Sequence, residues 1–243
     1  MRRPRVHTHQ PLTIGELLEL EPQAARHLIQ VLRLRPGSEV ILFNGDGYDW
    51  PARILRSDRR RTRLEVFGCS PPEPPPVLDI HLGIGISKGE RMDYAIQKAV
   101  ELGVAHITPL QTARSVVHLP AARQQKRLDH WQGVVIAACE QCGRRRLPEL
   151  APQADLDRWL SKPGKHLGLL LDQRADLSLH RLPCPDAEIR LLVGPEGGLS
   201  DQERDTALAT GFTGVRLGPR VLRTETAPLA AIAAMQMLWG DFR

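Results

Sequence analysis

The sequence predicts a two-part α/β protein, in which a small β-rich domain precedes a larger domain with a mostly parallel sheet. The segment SPPEPPP at 70–76 fits neither a helix nor a central strand, because proline fixes φ and lacks a backbone donor. Short apolar runs separated by turn residues precede this segment, whereas strand-length runs alternate with helical patterns after it. We therefore place the domains at 1–72 and 73–243.

The N-terminal part has the pattern of a small β domain with one helix. Apolar runs at 39–43 and 63–67 predict strands, and NGDG at 44–47 is a strong signal for a hairpin turn. A helix is predicted over 22–34, and the arginine run at 59–61 is expected at the tip of a hairpin. The apolar face of the helix comprises Ala25, Leu28, Ile29 and Leu32.

The C-terminal part alternates predicted strands and helices. The strands are predicted at 77–86, 104–110, 166–172, 189–194 and 214–218. The helices are predicted at 92–102, 121–141, from residue 200 onward, and at 227–239. Ser200 and Glu203 have the spacing of a capping box, in which each side chain bonds the other residue's free backbone N–H. The last helix is almost entirely apolar, so we expect it in a core or at a subunit interface.

Composition and the length of the apolar runs exclude several classes of protein. With 42% hydrophobic and 25% charged residues, the chain is typical of globular proteins rather than disordered or collagen-like ones. Its longest apolar runs fall well short of the roughly 20 residues that a membrane helix needs. Its basic first residues lead into no hydrophobic signal segment, so we expect a cytoplasmic protein.

The net charge of +5 is unevenly distributed along the chain. Residues 1–72 contain 12 Arg and no Lys against 8 acidic residues, whereas residues 73–243 contain 21 basic and 20 acidic residues. Arginine pairs with phosphate in a bidentate manner and stacks on bases. The basic N-terminal part therefore indicates a nucleic-acid partner, with a solvated charged face as the alternative.

Two short motifs suggest chemistry that their contexts do not support. The motif GIG at 83–85 lies between a predicted strand and a helix, but Lys88 occupies the third glycine position of a dinucleotide-binding loop. Cys139 and Cys142 have CxxC spacing without a second pair, so we interpret them as small buried helix residues. The nine histidines show no metal-ligand spacing, and the sequence contains no serine-hydrolase elbow or phosphate-binding loop motif.

Two stretches rich in glycine and proline follow predicted strand ends near the C-terminus, LLVGPEGGLS at 191–200 and LGPRVLRTETA at 217–227. In open α/β sheets, loops at the carboxyl ends of parallel strands bind ligands. Glycine there lets the backbone approach a ligand closely. The two stretches therefore predict a small-molecule site, and purely structural turns are the alternative.

These stretches belong to a resemblance that covers essentially the whole chain. The segments HLIQVLRLRPGSEVILFNGDG, SKGERMDYAIQKAVELGV, ITPLQTARSVV, ACEQCGRRRLPE, VGPEGGLSDQE and LGPRVLRTETA resemble the bacterial ribosomal RNA small-subunit methyltransferase E family. The resemblance implies a homodimer that transfers a methyl group from S-adenosyl-L-methionine to N3 of one uridine in 16S rRNA, near the decoding centre of the small ribosomal subunit. It also implies a PUA-like RNA-binding β-barrel at 1–72 and a SPOUT methyltransferase domain, containing a trefoil knot, at 73–243.

The resemblance further implies that loop backbones surround the cofactor and that no metal takes part. The corresponding cofactor-binding residues are Leu171, Gly194, Pro195, Glu196, Gly197, Leu217, Gly218 and Leu222. Uridine N3 carries a proton that must leave, and the resulting negative charge needs a cation or an N–H group nearby. We expect Arg223 to supply that cation and Glu225 to act as the base or as a hydrogen-bond anchor. Thr226, like Thr224, either positions uracil or caps the final helix.

The target base must be unpaired or flipped out, so the enzyme also needs to grip RNA. We expect phosphate contacts from Arg2, Arg3, Arg5, Arg26, Arg33, Arg35, Lys88, Arg91, Arg114, Arg144, Arg145 and Arg146. For each of them, simple surface solvation is the alternative. Two other functions stay open: a non-enzymatic RNA-binding or ribosome-assembly factor on the same fold, and a SPOUT methyltransferase that acts on another RNA.

Overall fold

The computed structural model describes residues 3–58, 61–115 and 121–242, and it describes residues 121 and 122 by their backbone alone. The chain divides into two compact units. The N-terminal unit comprises Met1–Pro75 and Cys139–Leu147, and the C-terminal unit comprises Pro76–Ala138 and Pro148–Arg243. The first boundary lies close to the one that the sequence predicts after residue 72. The return of residues 139–147 to the N-terminal unit is a difference from that prediction.

In the described part of the N-terminal unit, five strands form one sheet. They are β1 (Arg5–His7), β2 (Leu17–Glu19), β3 (Glu39–Phe43), β4 (Trp50–Ser57) and β5 (Thr62–Val66). The sheet order is β1-β3-β4-β5-β2, with β1 parallel to β3 and the other pairs antiparallel. The predicted NGDG turn joins β3 to β4, so the predicted hairpin is confirmed. Of the arginine run expected at a hairpin tip, Arg59 and Arg60 lie outside the described residues.

The predicted α-helix over 22–34 is wrong after its first turn. Helix α1 (Pro22–Arg26) passes into a π-helical turn at His27–Val31, which the Leu32 N–H closes by bonding the His27 carbonyl at 3.0 Å. Arg33 then adopts φ +53°, a left-handed conformation that ends the helix. Because the π turn is wider than an α turn, Leu32 is exposed instead of lying on the buried face.

Segment 139–147 is held in the N-terminal unit by ion pairs and hydrogen bonds. The Asp49 carboxylate pairs with the guanidinium groups of both Arg5 and Arg145. The Glu73 carboxylate accepts the backbone N–H of Arg145 at 3.1 Å. The Arg5 side chain is only 7% exposed. Both guanidinium groups are thus paired with Asp49, and the phosphate contacts expected of Arg5 and Arg145 stay predictions.

Seven strands of the described C-terminal unit form a parallel sheet. They are β6 (Ile80–Gly85), β7 (His106–Gln111), β8 (Glu149–Leu150), β9 (Ala154–Asp155), β10 (His166–Leu171), β11 (Glu188–Val193) and β12 (Thr213–Val215). The order is β12-β10-β11-β6-β7-β8. Strand β9 also pairs with β7, further along that strand than β8 does. The five predicted strands are confirmed in position. The sequence did not predict β8 and β9, because two residues carry no periodic pattern.

Helices connect and cover these strands. They are α2 (Glu90–Glu101), α3 (Ala121–Cys142), α4 (Leu156–Leu160), α5 (Asp201–Ala209) and α6 (Thr226–Trp239). The predicted capping box is confirmed: Glu203 N–H donates to Ser200 Oγ at 3.2 Å, and Ser200 N–H donates to Glu203 Oε2 at 2.8 Å. Among the described helices, none combines the length and apolar character that crossing a lipid bilayer requires.

The motif GIG at 83–85 is explained by close packing around β6. A Cβ atom on Gly83 would lie 2.6 Å from the Trp159 ring, and one on Gly85 would lie 2.5 Å from the Pro195 nitrogen. Both distances are shorter than atoms tolerate. The two glycines therefore make room for α4 and for the chain that follows β11.

The CxxC pair lies at the end of α3, in the N-terminal unit. Cys139 is buried, and that burial raises the pKa of its thiol to about 12, so it stays protonated and unreactive at neutral pH. Cys69, Cys139, Cys142 and Cys184 are all free thiols. Within the described ranges, no cluster of three or more His, Cys, Asp or Glu side chains has the geometry to hold a metal ion.

Candidate functional site

The main cavity of the C-terminal unit has a volume of about 490 Å³ and lies at the carboxyl ends of β10, β11 and β12. Three segments of chain form most of its walls, each following one of these strands, and Arg91 of α2 and Arg204 of α5 complete them. We call the three segments the β10 loop (residues 170–174), the β11 loop (residues 193–199) and the β12 loop (residues 215–227). This is the edge of a parallel sheet at which α/β proteins bind ligands.

Most of the residues that the sequence assigned to a small-molecule site line this cavity. Six of the eight candidate cofactor residues do so: Leu171, Gly194, Pro195, Glu196, Leu217 and Leu222. The exceptions are Gly197, whose carbonyl accepts a hydrogen bond from Arg114 at 3.0 Å, and Gly218, whose φ of +94° shapes the β12 loop. Both glycines therefore support the walls from outside the cavity.

The candidate catalytic residues divide in the same way. Arg223 and Glu225 line the cavity, together with Thr224, whereas Thr226 does not. Thr226 is the first residue of α6, and Glu225 is the residue before it. No side-chain cap bond forms at this helix end, so the capping role that the sequence allowed for the threonines is not observed.

The β11 loop is held rigidly from several sides. A Cβ on Gly194 would lie 2.9 Å from the Leu199 nitrogen, so only glycine fits where the loop folds back on itself. The Gly198 N–H donates to the Pro195 carbonyl at 2.8 Å and closes the turn. The Pro195 ring packs against Gly85 of β6. The backbone groups of this loop are thus presented to the cavity in one arrangement.

Glu196 fixes the outer side of the same loop. Its Oε1 accepts the backbone N–H of Lys88 at 3.1 Å and the Nη1 of Arg91 at 3.2 Å. Burial alone would raise the pKa of this carboxyl, but hydrogen bonds from its own N–H, from Lys88 and from Arg91 outweigh burial and lower the pKa. Glu196 therefore stays ionised and holds the loop to the chain after β6.

The sequence did not single out the β10 loop beyond Leu171. Asp172, which is largely buried, pairs with Arg204 of α5 and accepts the backbone N–H of Arg174 at 2.9 Å. Gln173 donates a hydrogen bond to the Arg220 carbonyl and so ties the β10 loop to the β12 loop. The available signal was the polar run DQR directly after a predicted strand, the same position relative to its strand as the other two loops.

Two charged groups in the cavity wall have no partner among the residues that the structure describes. The Arg223 guanidinium is exposed and makes no ion pair or hydrogen bond with any residue that the structure describes. Glu225 Oε2 is buried, and within the same described residues it has no hydrogen-bond partner. A buried carboxylate oxygen without a donor is costly in a finished structure. Both groups are therefore available to a ligand.

The basic residues expected to contact RNA fall into distinct environments. Arg26, Arg33, Arg35, Lys88 and Arg146 are exposed, and Arg144 is partly buried. Arg3 is half exposed and pairs with Glu39 at 2.7 Å. Arg91 and Arg114 hold the β11 loop through Glu196 and the Gly197 carbonyl. Arg2 lies outside the described residues.

Comparison with known proteins agrees with this architecture. A family model described as an RNA methyltransferase domain matches residues 73–236, and one described as an RNA methyltransferase PUA domain matches residues 20–67. The Ribosomal RNA small subunit methyltransferase E of Buchnera aphidicola (subsp. Schizaphis graminum) is 33% identical over 241 residues, covering 99% of this chain and 98% of the relative. The protein of the same name from Bacillus subtilis is 25% identical over 96% of each chain.

Solved structures show the same similarity over the full length. A Ribosomal RNA small subunit methyltransferase E from Neisseria gonorrhoeae, bound to S-adenosyl methionine, has 40% identity and a TM-score of 0.92, with 100% of both chains covered. A methyltransferase from Legionella pneumophila, in complex with bound cofactor SAM, has 38% identity and a TM-score of 0.96 over 100% of both chains. With a matching catalytic-domain model, a matching PUA model and full-length relatives, the chain belongs to the ribosomal RNA small subunit methyltransferase E family.

Proposed function

We propose that this protein transfers the methyl group of S-adenosyl-L-methionine to N3 of one uridine in 16S rRNA, near the decoding centre of the small ribosomal subunit. The observation that carries the proposal is the cavity at the carboxyl ends of β10, β11 and β12, where the side chains of Arg223 and Glu225 have no partner within the described part of the chain. Two solved relatives of the full chain contain the same cofactor, according to their descriptions. The uridine and its position follow from the family resemblance.

The residues around the cavity fit this cofactor. A volume of about 490 Å³ lies within the roughly 300–1,000 Å³ of small-molecule sites. Leu171, Leu217 and Leu222 supply an apolar wall for adenine, while the glycine-rich β11 loop offers backbone donors and acceptors to its polar edge. When bound, the cofactor would supply a methyl group attached to a sulfonium, and the rest of the cofactor would leave as a neutral thioether. The reaction therefore needs no metal. The main task of the protein is positioning.

The acceptor requires more of the side chains than the cofactor does. Uridine N3 loses a proton during the reaction, and the Glu225 carboxylate is the acceptor for that proton or the anchor that orients N3–H. Negative charge then spreads onto the two flanking carbonyl oxygens of uracil, where the unpaired guanidinium of Arg223 stabilises it. Thr224 and Thr226 flank Glu225. We keep Thr226, the first residue of α6, as a candidate for positioning uracil.

The RNA around the target base is held by arginines of the N-terminal unit. Arg26, Arg33 and Arg35 are exposed around the π-helical turn, in positions free to reach phosphate. Further candidates are Arg3, Arg144 and Arg146 of the N-terminal unit, and Lys88, Arg91 and Arg114 of the C-terminal unit. We also propose that the protein acts as a homodimer in which Met237 and Leu238, exposed on α6, contribute to the interface.

The test is methyl transfer from labelled S-adenosyl-L-methionine to small ribosomal subunits that lack the modification. The expected result is label at a single uridine of 16S rRNA, with no further methyl group added once that uridine is modified. Cofactor binding is measured in parallel by calorimetry. Absence of label where the cofactor demonstrably binds would overturn the proposed substrate, and label in another RNA would replace it.

A further inference from the structure

We propose that Ser87 and Thr224 are positioning residues. Their hydroxyl groups form a hydrogen-bonded relay that holds Arg223 and Glu225 in place against the β11 loop. Ser87 is 1% exposed and Thr224 is 7% exposed. The inference rests on the proposed function, because it assigns Arg223 and Glu225 to the acceptor side of methyl transfer.

The order of donors in this relay follows from counting protons. Thr224 Oγ1 lies 3.0 Å from the Gly194 carbonyl and donates its one proton there, since a carbonyl has none to give. Ser87 Oγ lies 3.3 Å from Thr224 Oγ1. Because the Thr224 proton is already used, a hydrogen bond between the two hydroxyls has Ser87 as its donor, and Ser87 shares this one proton with the Gly85 carbonyl, which lies 3.4 Å from its Oγ. The relay therefore runs from Ser87 to Thr224 to Gly194.

The three residues lie on three separate stretches of chain. Ser87 follows β6, Gly194 begins the β11 loop, and Thr224 lies in the β12 loop. Thr224 is the one buried residue between two cavity-lining charged residues. Anchoring it inward fixes the backbone on both sides, so the side chains of Arg223 and Glu225 start from fixed Cα positions.

The two loops joined by the relay differ in how much else holds them. The β11 loop is also fixed by the Pro195–Gly85 packing and by Glu196, which bonds Lys88 and Arg91. Around Thr224 the β12 loop has fewer supports: the Gln173 bond to Arg220, and the N–H groups of Thr226 and Ala227 that return to Arg223. Losing the Thr224 hydroxyl should therefore loosen the acceptor side more than the cofactor side.

The experiment compares Thr224→Val, which removes the hydroxyl but keeps the shape, with Thr224→Ser, which keeps the hydroxyl. In Thr224→Val we expect kcat to fall about 10- to 50-fold, cofactor Kd to change less than about threefold, and Thr224→Ser to restore kcat to within about threefold of the wild type. Thr210→Val is the matched control, since it loses a hydroxyl-to-carbonyl bond of 2.9 Å to Ala207 away from the cavity.

Ser87→Ala tests the upstream half of the relay. With Thr224 still bonded to Gly194, Ser87→Ala alone should lower kcat only about threefold. In the double variant with Thr224→Val, the Ser87 change should lower kcat no further, because the Thr224 hydroxyl that accepts the Ser87 hydrogen bond is gone. A fully multiplicative double variant would show that the two hydroxyls act independently.

A second readout does not depend on activity. Amide hydrogen exchange at residues 222–226 should speed up in Thr224→Val and stay unchanged in Thr224→Ser and in Thr210→Val. Unchanged exchange there, equal impairment of the serine and valine variants, or parallel loss of cofactor affinity and kcat would each overturn the relay. Failure of the wild-type enzyme to methylate ribosomal RNA would instead sink the proposed function, and the exchange data would still judge the relay.

Discussion

The two ends of the parallel sheet in the C-terminal unit use their polar residues in opposite ways. At the amino end, the Trp159 indole N–H donates to His81 Nε2 at 3.2 Å, and the Thr108 hydroxyl lies 2.8 Å from the same nitrogen. Buried Arg190 donates to the carbonyls of Trp159 and Lys162 and stacks 4.2 Å from the Trp159 ring centroid. These polar groups satisfy one another, so this end stabilises the fold.

At the carboxyl end, comparable groups have no partner in the described ranges 3–58, 61–115 and 121–242. Arg223 and Glu225 stand in the cavity wall, and the nearby bonds of Thr224, Gln173 and Glu196 hold loops rather than the two charged side chains themselves. The difference shows where the protein accepts a cost in stability to keep groups free for a ligand. Variants at the carboxyl end should therefore affect activity, and variants at the amino end should affect stability.

The largest effect is expected from Arg223→Ala. Removing the guanidinium should lower kcat about 100-fold or more, because negative charge on the deprotonated uracil loses its stabilising cation. Cofactor affinity, measured by calorimetry, should change far less. Arg223→Lys, which keeps the charge but not the planar geometry, should recover part of the rate. Equal losses of kcat and cofactor affinity would mean that Arg223 binds the cofactor or supports the fold.

Gly85→Ala should disturb the cavity from behind. The new Cβ would lie 2.5 Å from the Pro195 nitrogen, which is backbone, so the β11 loop must move. We expect at least tenfold weaker cofactor binding and a loss of about 1–3 kcal/mol in the free energy of unfolding. Gly133→Ala in α3 is the control, since, apart from the backbone of its own helix, no described atom lies within 4 Å of the new Cβ. That variant should be neutral or slightly stabilising.

Arg190→Met at the amino end should separate stability from activity. It leaves the carbonyls of Trp159 and Lys162 without this donor, and because the bond to Trp159 is buried, its loss should lower the free energy of unfolding by about 1–3 kcal/mol. The folded fraction should keep kcat within about twofold of the wild type. A large fall in kcat at full folding would break the proposed contrast between the two ends of the sheet.

The smallest expected effect is a pH dependence of the free energy of unfolding, caused by His81 at the amino end of the sheet. Burial, reinforced by the charge of Arg190, lowers the pKa of His81 from 6.5 to about 3. The unfolded chain therefore binds a proton that the folded protein rejects, and stability falls as pH drops from 6.5 towards 3. Between pH 7 and pH 5.5 the loss should be about 1 kcal/mol in urea denaturation. His81→Gln should lose the His81 share of that slope and keep the share from His7, whose pKa burial lowers to about 4, whereas His180→Gln, at an exposed position, should keep both.

Much of this architecture follows from local patterns in the sequence. The capping box at Ser200 and Glu203 was confirmed because both partners lie within one turn of helix. The β11 and β12 loops were located because glycine and proline interrupt the pattern directly after apolar strands. The trefoil knot implied by the family resemblance stays a prediction, as do the uridine specificity and the homodimer.

Other features depended on contacts between distant parts of the chain. The π turn at His27–Val31 carries the same apolar spacing as an α-helix, so periodicity alone could not distinguish them. Arg5 resembled a phosphate-binding residue until its pairing with Asp49 was visible. No local pattern gave Ser87 a role of its own, because its partner Thr224 lies 137 residues away.

The sequence by itself determined the order of the longer strands and helices of the C-terminal unit, the excess of arginine before residue 73, and the two glycine-containing loops near the C-terminus. These properties depend on residues a few positions apart, whose spacing reflects helical or strand geometry. Only the tertiary structure decided which arginines were already paired, which loops shared one cavity, and which charged groups remained unpaired. Those outcomes depend on burial and on partners far away in the chain, and burial decides whether a polar group must be satisfied by the protein or left for a ligand.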